Sequence, residues 1–413
     1  MKALVITAPG IRPDYLGCYG SDWVDTPNFD QLAVAGIVFD NHHAVQPDSE
    51  GAWQAWRSAV CNFPALHADS GASPLSLPPD VVTQLNANGV PTHLIAHAAQ
   101  LSSQDLGQGW KTFRPCDSTD SLLKAIHKGI LQLAKKENGL LWADIPVLLP
   151  PWQIPDDFIA GYFGEPVDDD GDEGQQDDED AQLVPLIDPQ PGVFDSLDDQ
   201  LLLRLQHTYV AALTYLDAIL GQILEWLADV DPDDKWLLIV TSQHGLSLGE
   251  HGLIDPARPW LHEERIHVPL ILRLPGSAQA GRRVFALTQS VDVPSILLEG
   301  FNLPASGMQG HSLLALANGR QEPIRRYSCS RWQLGAEAEL AIRTPNWKLI
   351  LPLGESSKPP FRERQLYVKP DDRWEVNNVV QHHFELADEL EKDLKELIAK
   401  SVRPPFPGKL ELP

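Results

Sequence analysis

The residues of this chain that could do chemistry are fourteen histidines, four cysteines and a crowd of carboxylates. Imidazole suits zinc, iron or nickel, so three converging histidines among His42, His43, His97, His244, His251 and His262 would make a transition-metal site. The plainer account is that these are scattered surface or hydrogen-bonded residues, since a metal site needs a geometry that spacing alone does not supply. Trp53, Trp56 and Arg57 could bind an aromatic or anionic ligand, and packing of a short helix explains them equally well. Cys18, Cys61, Cys116 and Cys329 lie far apart with no paired spacing, so they read as reduced core thiols and not as a disulfide framework or zinc site. The run Asp168-Asp169-Asp170-Gly171-Asp172 has the charge of a calcium loop but lacks the ligand spacing and closing glutamate of an EF-hand.

The elements that must position these residues alternate between apolar strand-like runs and helical patterns. That alternation predicts a large, mostly parallel sheet flanked by helices. Candidate strands are Ala3 to Thr7, Thr92 to Ala96, Leu140 to Ile145, Trp236 to Thr241 and Val268 to Arg273. A helix starting near Ser196, with Asp199 three residues on, should bury Leu205, Tyr209, Leu213, Leu216, Leu220, Ile223 and Leu227. Near Glu322 the pattern shortens. Glu339 to Arg343, Trp347 to Leu351 and Gln365 to Val368 read as an antiparallel sheet, followed by a helix with Leu386, Leu390, Leu394 and Leu397 on one side. The expected organisation is a main α/β domain over residues 1–319 and a small C-terminal α+β domain over 320–413.

The chain has 413 residues. Domains run to about 150 residues each, so this length is enough for such a core. Its formal charge of -25 excludes nucleic acid and anionic membrane surfaces as partners, because both need a basic face. Between Glu165 and Asp180, ten of sixteen residues are acidic, so 164–191 is expected to be a disordered insertion. No stretch approaches the roughly 20 apolar residues of a membrane span, and the first apolar run is too short for a secretory leader. A cytoplasmic location is expected.

The stretch Arg12-Pro13-Asp14-Tyr15-Leu16-Gly17-Cys18-Tyr19-Gly20, with Thr26-Pro27-Asn28-Phe29 and Gly36-Ile37-Val38-Phe39-Asp40-Asn41, resembles the opening of the sulfatases, members of the alkaline phosphatase superfamily. The likeness continues through Ser242-Gln243-His244-Gly245, Leu248-Gly249-Glu250-His251-Gly252, His262-Glu263-Glu264 with Val268-Pro269-Leu270-Ile271, and Ser290-Val291-Asp292-Val293-Pro294. It ends on Ala341-Ile342-Arg343-Thr344 and Leu366-Tyr367-Val368, with Glu375-Val376-Asn377-Asn378. The resemblance implies hydrolysis of sulfate esters, with a calcium ion held by carboxylates and a formylglycine nucleophile made from Cys or Ser.

Laid on that pattern, the two N-terminal carboxylates fall on Pro9 and Gly10 and the third on Gln243, leaving His244 as the remaining metal ligand. Three carboxylates are thereby lost, and calcium affinity depends on ligand charge, so no cofactor is expected. The nucleophile position falls on Ser49, but Glu50-Gly51-Ala52-Trp53 replaces the x-P-x-R that directs its modification. A bare serine attacks only with a base or metal to activate it. Cys61 is the one rival and lies twelve residues late. His97 stands near a sulfate-binding lysine, Leu149 replaces a histidine, and Arg258 could substitute for a second lysine. Trp53, Arg57 and His262 are expected to contact substrate beside the anion cleft. The chain therefore reads as a sulfatase-like protein with a degenerate site and a residual cleft for a small anionic ester or ligand; any protein partner is unknown. The alternative is an active sulfate or phosphate ester hydrolase using Ser49, His97 and a histidine-based metal site. A third reading makes the acidic insertion an assembly surface.

Overall fold

Apolar β-branched runs build the centre of the fold. The computed structural model describes residues 1–61, 80–98, 107–163, 183–320, 322–353 and 363–401. Its strands are β1 (Lys2–Thr7), β2 (Ile37–His43), β3 (Thr92–His97), β4 (Thr112–Cys116), β5 (Gly139–Asp144), β6 (Gly192–Val193), β7 (Trp236–Thr241), β8 (Leu253–Ile254), β9 (Leu270–Arg273), β10 (Arg282–Gln289), β11 (Ser328–Leu334), β12 (Glu337–Arg343), β13 (Trp347–Leu353) and β14 (Gln365–Val368).

Eight of them form one sheet in the order β10-β2-β9-β7-β1-β5-β3-β4. Every neighbouring pair is parallel except those made by β9, which runs antiparallel to both β2 and β7. β1, β5 and β7 are buried along nearly their whole length, as expected of a sheet covered on both faces. Their registers bring Thr7 beside both Asp144 and Thr241, so the carboxyl ends of three central strands finish together. Open α/β sheets bind ligands at this edge.

The long helix Asp199–Val230 packs on one face and buries all seven residues that its periodicity assigns to the core. Each such side chain contributes about 1.5–3 kcal/mol. By length and composition this helix could cross a membrane, contrary to the expectation that no stretch comes close. However, 56% of its most apolar window is buried inside the protein, as in the core helix of a globular domain.

The expected strands β12, β13 and β14 form an antiparallel sheet, extended by β11, with the helix Phe384–Ser401 against it. Its core is shared with the main domain: Val45, Ala55 and Val291 pack with Leu340, Ile342, Leu366 and Leu390. The unit after residue 319 is therefore seated on the large sheet by common apolar packing. Most of the acidic stretch, 164–182, lies outside the described residues. Its end is anchored: Trp152 N donates to Ile187 O (2.9 Å) and Leu186 N to Thr208 Oγ1 (2.8 Å). β6 then pairs with β8, which fixes the turn Gly249–Gly252.

Candidate functional site

At the carboxyl edge of the sheet, β1 ends at Thr7, β5 at Asp144, and β7 runs into Ser242-Gln243-His244. Thr7 Oγ1 and Gln243 Nε2 both donate to Asp144 Oδ1 at 2.6 Å, and Trp142 Nε1 donates to Thr7 Oγ1 at 3.1 Å. The knot is sealed: Gln243 is 0% and Asp144 1% exposed. Asp144 Oδ2 and Gln243 Oε1 have no hydrogen-bond partner among the described residues. Burial raises the Asp144 carboxyl to about 6, opposed by the donors Thr7 and Gln243. The next turn is closed by backbone. Gly10 N donates to His244 O (2.8 Å), Tyr209 Oη donates to Gly10 O (2.9 Å), and Ser242 Oγ lies 2.7 Å from both Ala8 O and His244 O.

Gly10 adopts φ +97°, which residues with a Cβ rarely enter. A Cβ there would meet Leu148 Cβ and Leu246 Cδ1, each at 3.1 Å, and Leu148 O at 3.3 Å. Apolar side chains thus occupy the space into which a side chain at residue 10 would grow. His244 is buried and neutral. Its Nδ1 donates to Gly245 O (2.8 Å), and desolvation, helped by Arg265, holds its pKa well below the usual range.

The other residues singled out from the sequence do not converge on this knot. Ser49 is the first residue of the helix Ser49–Ser58. It follows Asp48, whose carboxylate accepts from Gly51 N at 2.8 Å. That bond satisfies one of the free N–H groups at the helix start. Trp53 is 3% exposed and packs with Trp56, Trp110 and Trp142 at centroid distances of 5.4, 6.5 and 5.3 Å, so it is a core residue and not a substrate contact. Arg57 pairs with Asp80 at 2.5 Å, bridging to the start of the helix Val81–Ala87. His97 ends β3, half-buried, in register with Cys116. Arg258 is buried and donates to Glu339 Oε1 (2.8 Å), which ties it to the C-terminal sheet. His42 and His43 are fully buried at the end of β2; His42 Nδ1 lies 2.9 Å from Thr288 Oγ1, and burial lowers its pKa to about 3.

A second group of polar side chains gathers beside the turn Gly249–Gly252. One ligand atom each from His251, His262 and Glu264 lies within 4.8 Å of the other two. His262 stacks on Trp260 (centroids 4.0 Å), with its Nδ1 3.0 Å from Glu375 Oε2 and its Nε2 3.1 Å from Gln365 Oε1. Glu264 Oε1 accepts from Trp260 Nε1 at 2.6 Å. His262, expected to touch substrate, is therefore held in this group. Sequence reasoning names both histidines as candidates but meets Glu264 and Glu375 only inside family motifs and gives them no role. The signal available is the closeness of two His/Glu groups, Glu250-His251 and His262-Glu263-Glu264.

Comparison with known proteins bears on what this edge is. Residues 150–303 match the family model described as Sulfatase, and residues 249–401 match that of N-sulphoglucosamine sulphohydrolase, C-terminal. The chain belongs to the sulfatase family. It is 28% identical over 181 residues to N-acetylglucosamine-6-O-sulfatase of Bacteroides thetaiotaomicron, covering 41% of this chain and 31% of that protein. It is 23% identical over 371 residues to human iduronate 2-sulfatase, covering 72% of this chain and 65% of the other. The match to chicken arylsulfatase K likewise spans only 37% of that relative. Among solved structures, the phosphonate monoester hydrolase of Agrobacterium radiobacter superposes with a TM-score of 0.74 at 18% identity, covering 98% of this chain and 96% of that one. A 2-O glycosaminoglycan sulfatase superposes at 0.70 and 17% identity, covering 97% and 92%. These likenesses establish the fold. The sulfatase family commonly uses a metal ion. Where that ion's carboxylates are expected, Pro9 and Gly10 offer no side-chain donor, Gln243 turns its amide nitrogen to Asp144, and Leu148 and Leu246 fill the space. One amide oxygen, one imidazole and the single buried carboxylate of Asp144 fall short of the six to eight oxygens that calcium takes.

Proposed function

We propose that this chain is a non-catalytic member of the sulfatase family, which keeps the architecture but does not hydrolyse sulfate esters by the metal- and formylglycine-dependent route. The observation that carries the reading is the packing of Leu148 and Leu246 against the bare Cα of Gly10. A sulfate ester hydrolase must hold a cation against the anion while a nucleophile attacks, and both partners of that step need an open, charged floor. Here the floor is a buried knot of Thr7, Asp144 and Gln243 under a backbone turn, and Ser49 sits at a helix start without the residues that direct its modification. The working role is then binding, of a small anionic ligand or of a partner, in the cytoplasm.

The test is turnover of 4-nitrocatechol sulfate and 4-nitrophenyl phosphate by the purified full-length chain, with and without calcium. The expected result is no turnover above that of Ser49→Ala. Calcium-dependent hydrolysis that Ser49→Ala abolishes would overturn the reading.

A further inference from the structure

We propose that His251, His262 and Glu264 bind one divalent transition-metal ion, zinc by chemistry, at the seam between the Gly249–Gly252 turn and the C-terminal sheet. The proposal does not depend on whether the chain hydrolyses esters.

Two imidazoles and a carboxylate are a donor set suited to zinc, with a further coordination position left to water or another oxygen. Their ligand atoms already lie within 4.8 Å of one another. A tetrahedral ion with bonds of about 2.1 Å places its ligands roughly 3.4 Å apart. Closing a gap of at most about 1.4 Å asks for a rotation of the exposed ring of His251 together with smaller shifts of the buried His262 and Glu264. His251 sits at a φ of 55° and holds the two rings 4.5 Å apart between centroids. This left-handed conformation costs a residue with a Cβ roughly 1–2 kcal/mol.

The surroundings mix carboxylates with Lys348 and Lys369, which both pair with Glu375. Glu264 is buried, its described partner is the Trp260 indole, and Glu250 and Glu375 stand near it. Glu375 Oε2 stands 3.0 Å from His262 Nδ1, in the manner of a carboxylate that fixes the tautomer of a metal-bound histidine. In the ion-free chain Nε2 faces the amide oxygen of Gln365 at 3.1 Å, an acceptor, so Nε2 carries the N–H. An ion would take that place, the ring proton moving to Nδ1 beside Glu375 and the amide oxygen serving as a further donor. Gln365 lies on β14 and Glu375 follows it, so the bound ion would fasten the turn to the C-terminal sheet.

The experiment is a zinc titration of untagged, chelator-treated full-length protein by calorimetry, with metal content by mass spectrometry and melting curves. One zinc per chain and a raised melting temperature are expected. His251→Ala, at an exposed position, and Glu264→Gln should each weaken binding about 100-fold while leaving the circular dichroism of the apo protein unchanged. Absence of stoichiometric zinc would overturn the proposal. So would zinc bound with undiminished affinity by both variants, which would put the ion on other histidines.

Discussion

Replacing Gly10 by aspartate restores one of the carboxylates expected of the family and should wreck the fold without creating a metal site. The cost can be worked from three contacts. The backbone at Gly10 has φ +97°. A left-handed conformation of this kind costs a residue with a Cβ roughly 1–2 kcal/mol for backbone alone. The new Cβ lies 3.1 Å from both Leu148 and Leu246. Overpacking of that kind costs about 1–3 kcal/mol. Gly10→Ala should therefore lose about 2–5 kcal/mol, the sum of the two. Gly10→Asp adds an unpaired buried carboxylate, worth several kcal/mol more. Against a typical stability of about 5–15 kcal/mol, that variant sits near or below the folding threshold. Urea denaturation of wild type, Gly10→Ala and Gly10→Asp, with and without millimolar calcium, measures these differences. A Gly10→Asp protein within about 1 kcal/mol of wild type, or one rescued by calcium, would refute the packing argument.

Three further outcomes follow from buried groups. Asp144 has a folded pKa of about 6. An aspartate in an unfolded chain sits at about 3.9, so the folded state binds its proton more tightly. Its contribution to stability is full below about pH 4 and is lost as pH rises through about 6, a change of about 3 kcal/mol. Asp144→Asn, which keeps an acceptor for Thr7 and Gln243, should remove that component from the urea-measured pH profile; an unchanged profile would contradict it. Lys348 is fully buried, with Nζ 2.8 Å from Glu375 Oε1 and 3.4 Å from Glu263 Oε1. Lys348→Met should cost about 3–5 kcal/mol in thermal unfolding by leaving these carboxylates short of a cation, and a loss under about 1 kcal/mol would contradict that. Trp53→Ala should cost about 3–5 kcal/mol, as expected of a buried indole. Its ring packs on Trp56 and Trp142, and unchanged stability would make Trp53 a surface ligand contact after all.

Among the strands that sequence makes plain are β1, β5 and β7, whose apolar residues are buried on both faces. β2 escapes such a reading because its second half, Asp40-Asn41-His42-His43, is polar, although His42 and His43 are buried in the sheet. β10 escapes it because it is an edge strand that alternates Arg282, Arg283 and exposed Phe285 with buried positions. That Pro9, Gly10 and Gln243 stand where the family pattern puts carboxylates is a reading of the motif order. What fills their place is not, because Leu148 and Leu246 reach Gly10 from far along the chain. Asp144 reads as the end of an apolar strand, and only the register with Thr7 makes it the centre of the knot. The gathering of Glu264 and Glu375 about His262 depends on how the C-terminal sheet docks, which no local pattern encodes.

The central claim is that the sulfatase metal position has been filled by packing, and calorimetric titration of the wild-type chain with calcium tests it most directly. The account predicts no saturable calcium binding into the millimolar range, while the same protein takes up zinc at His251, His262 and Glu264. One calcium bound per chain at micromolar affinity, lost on mutation of Gln243 or His244, would contradict it.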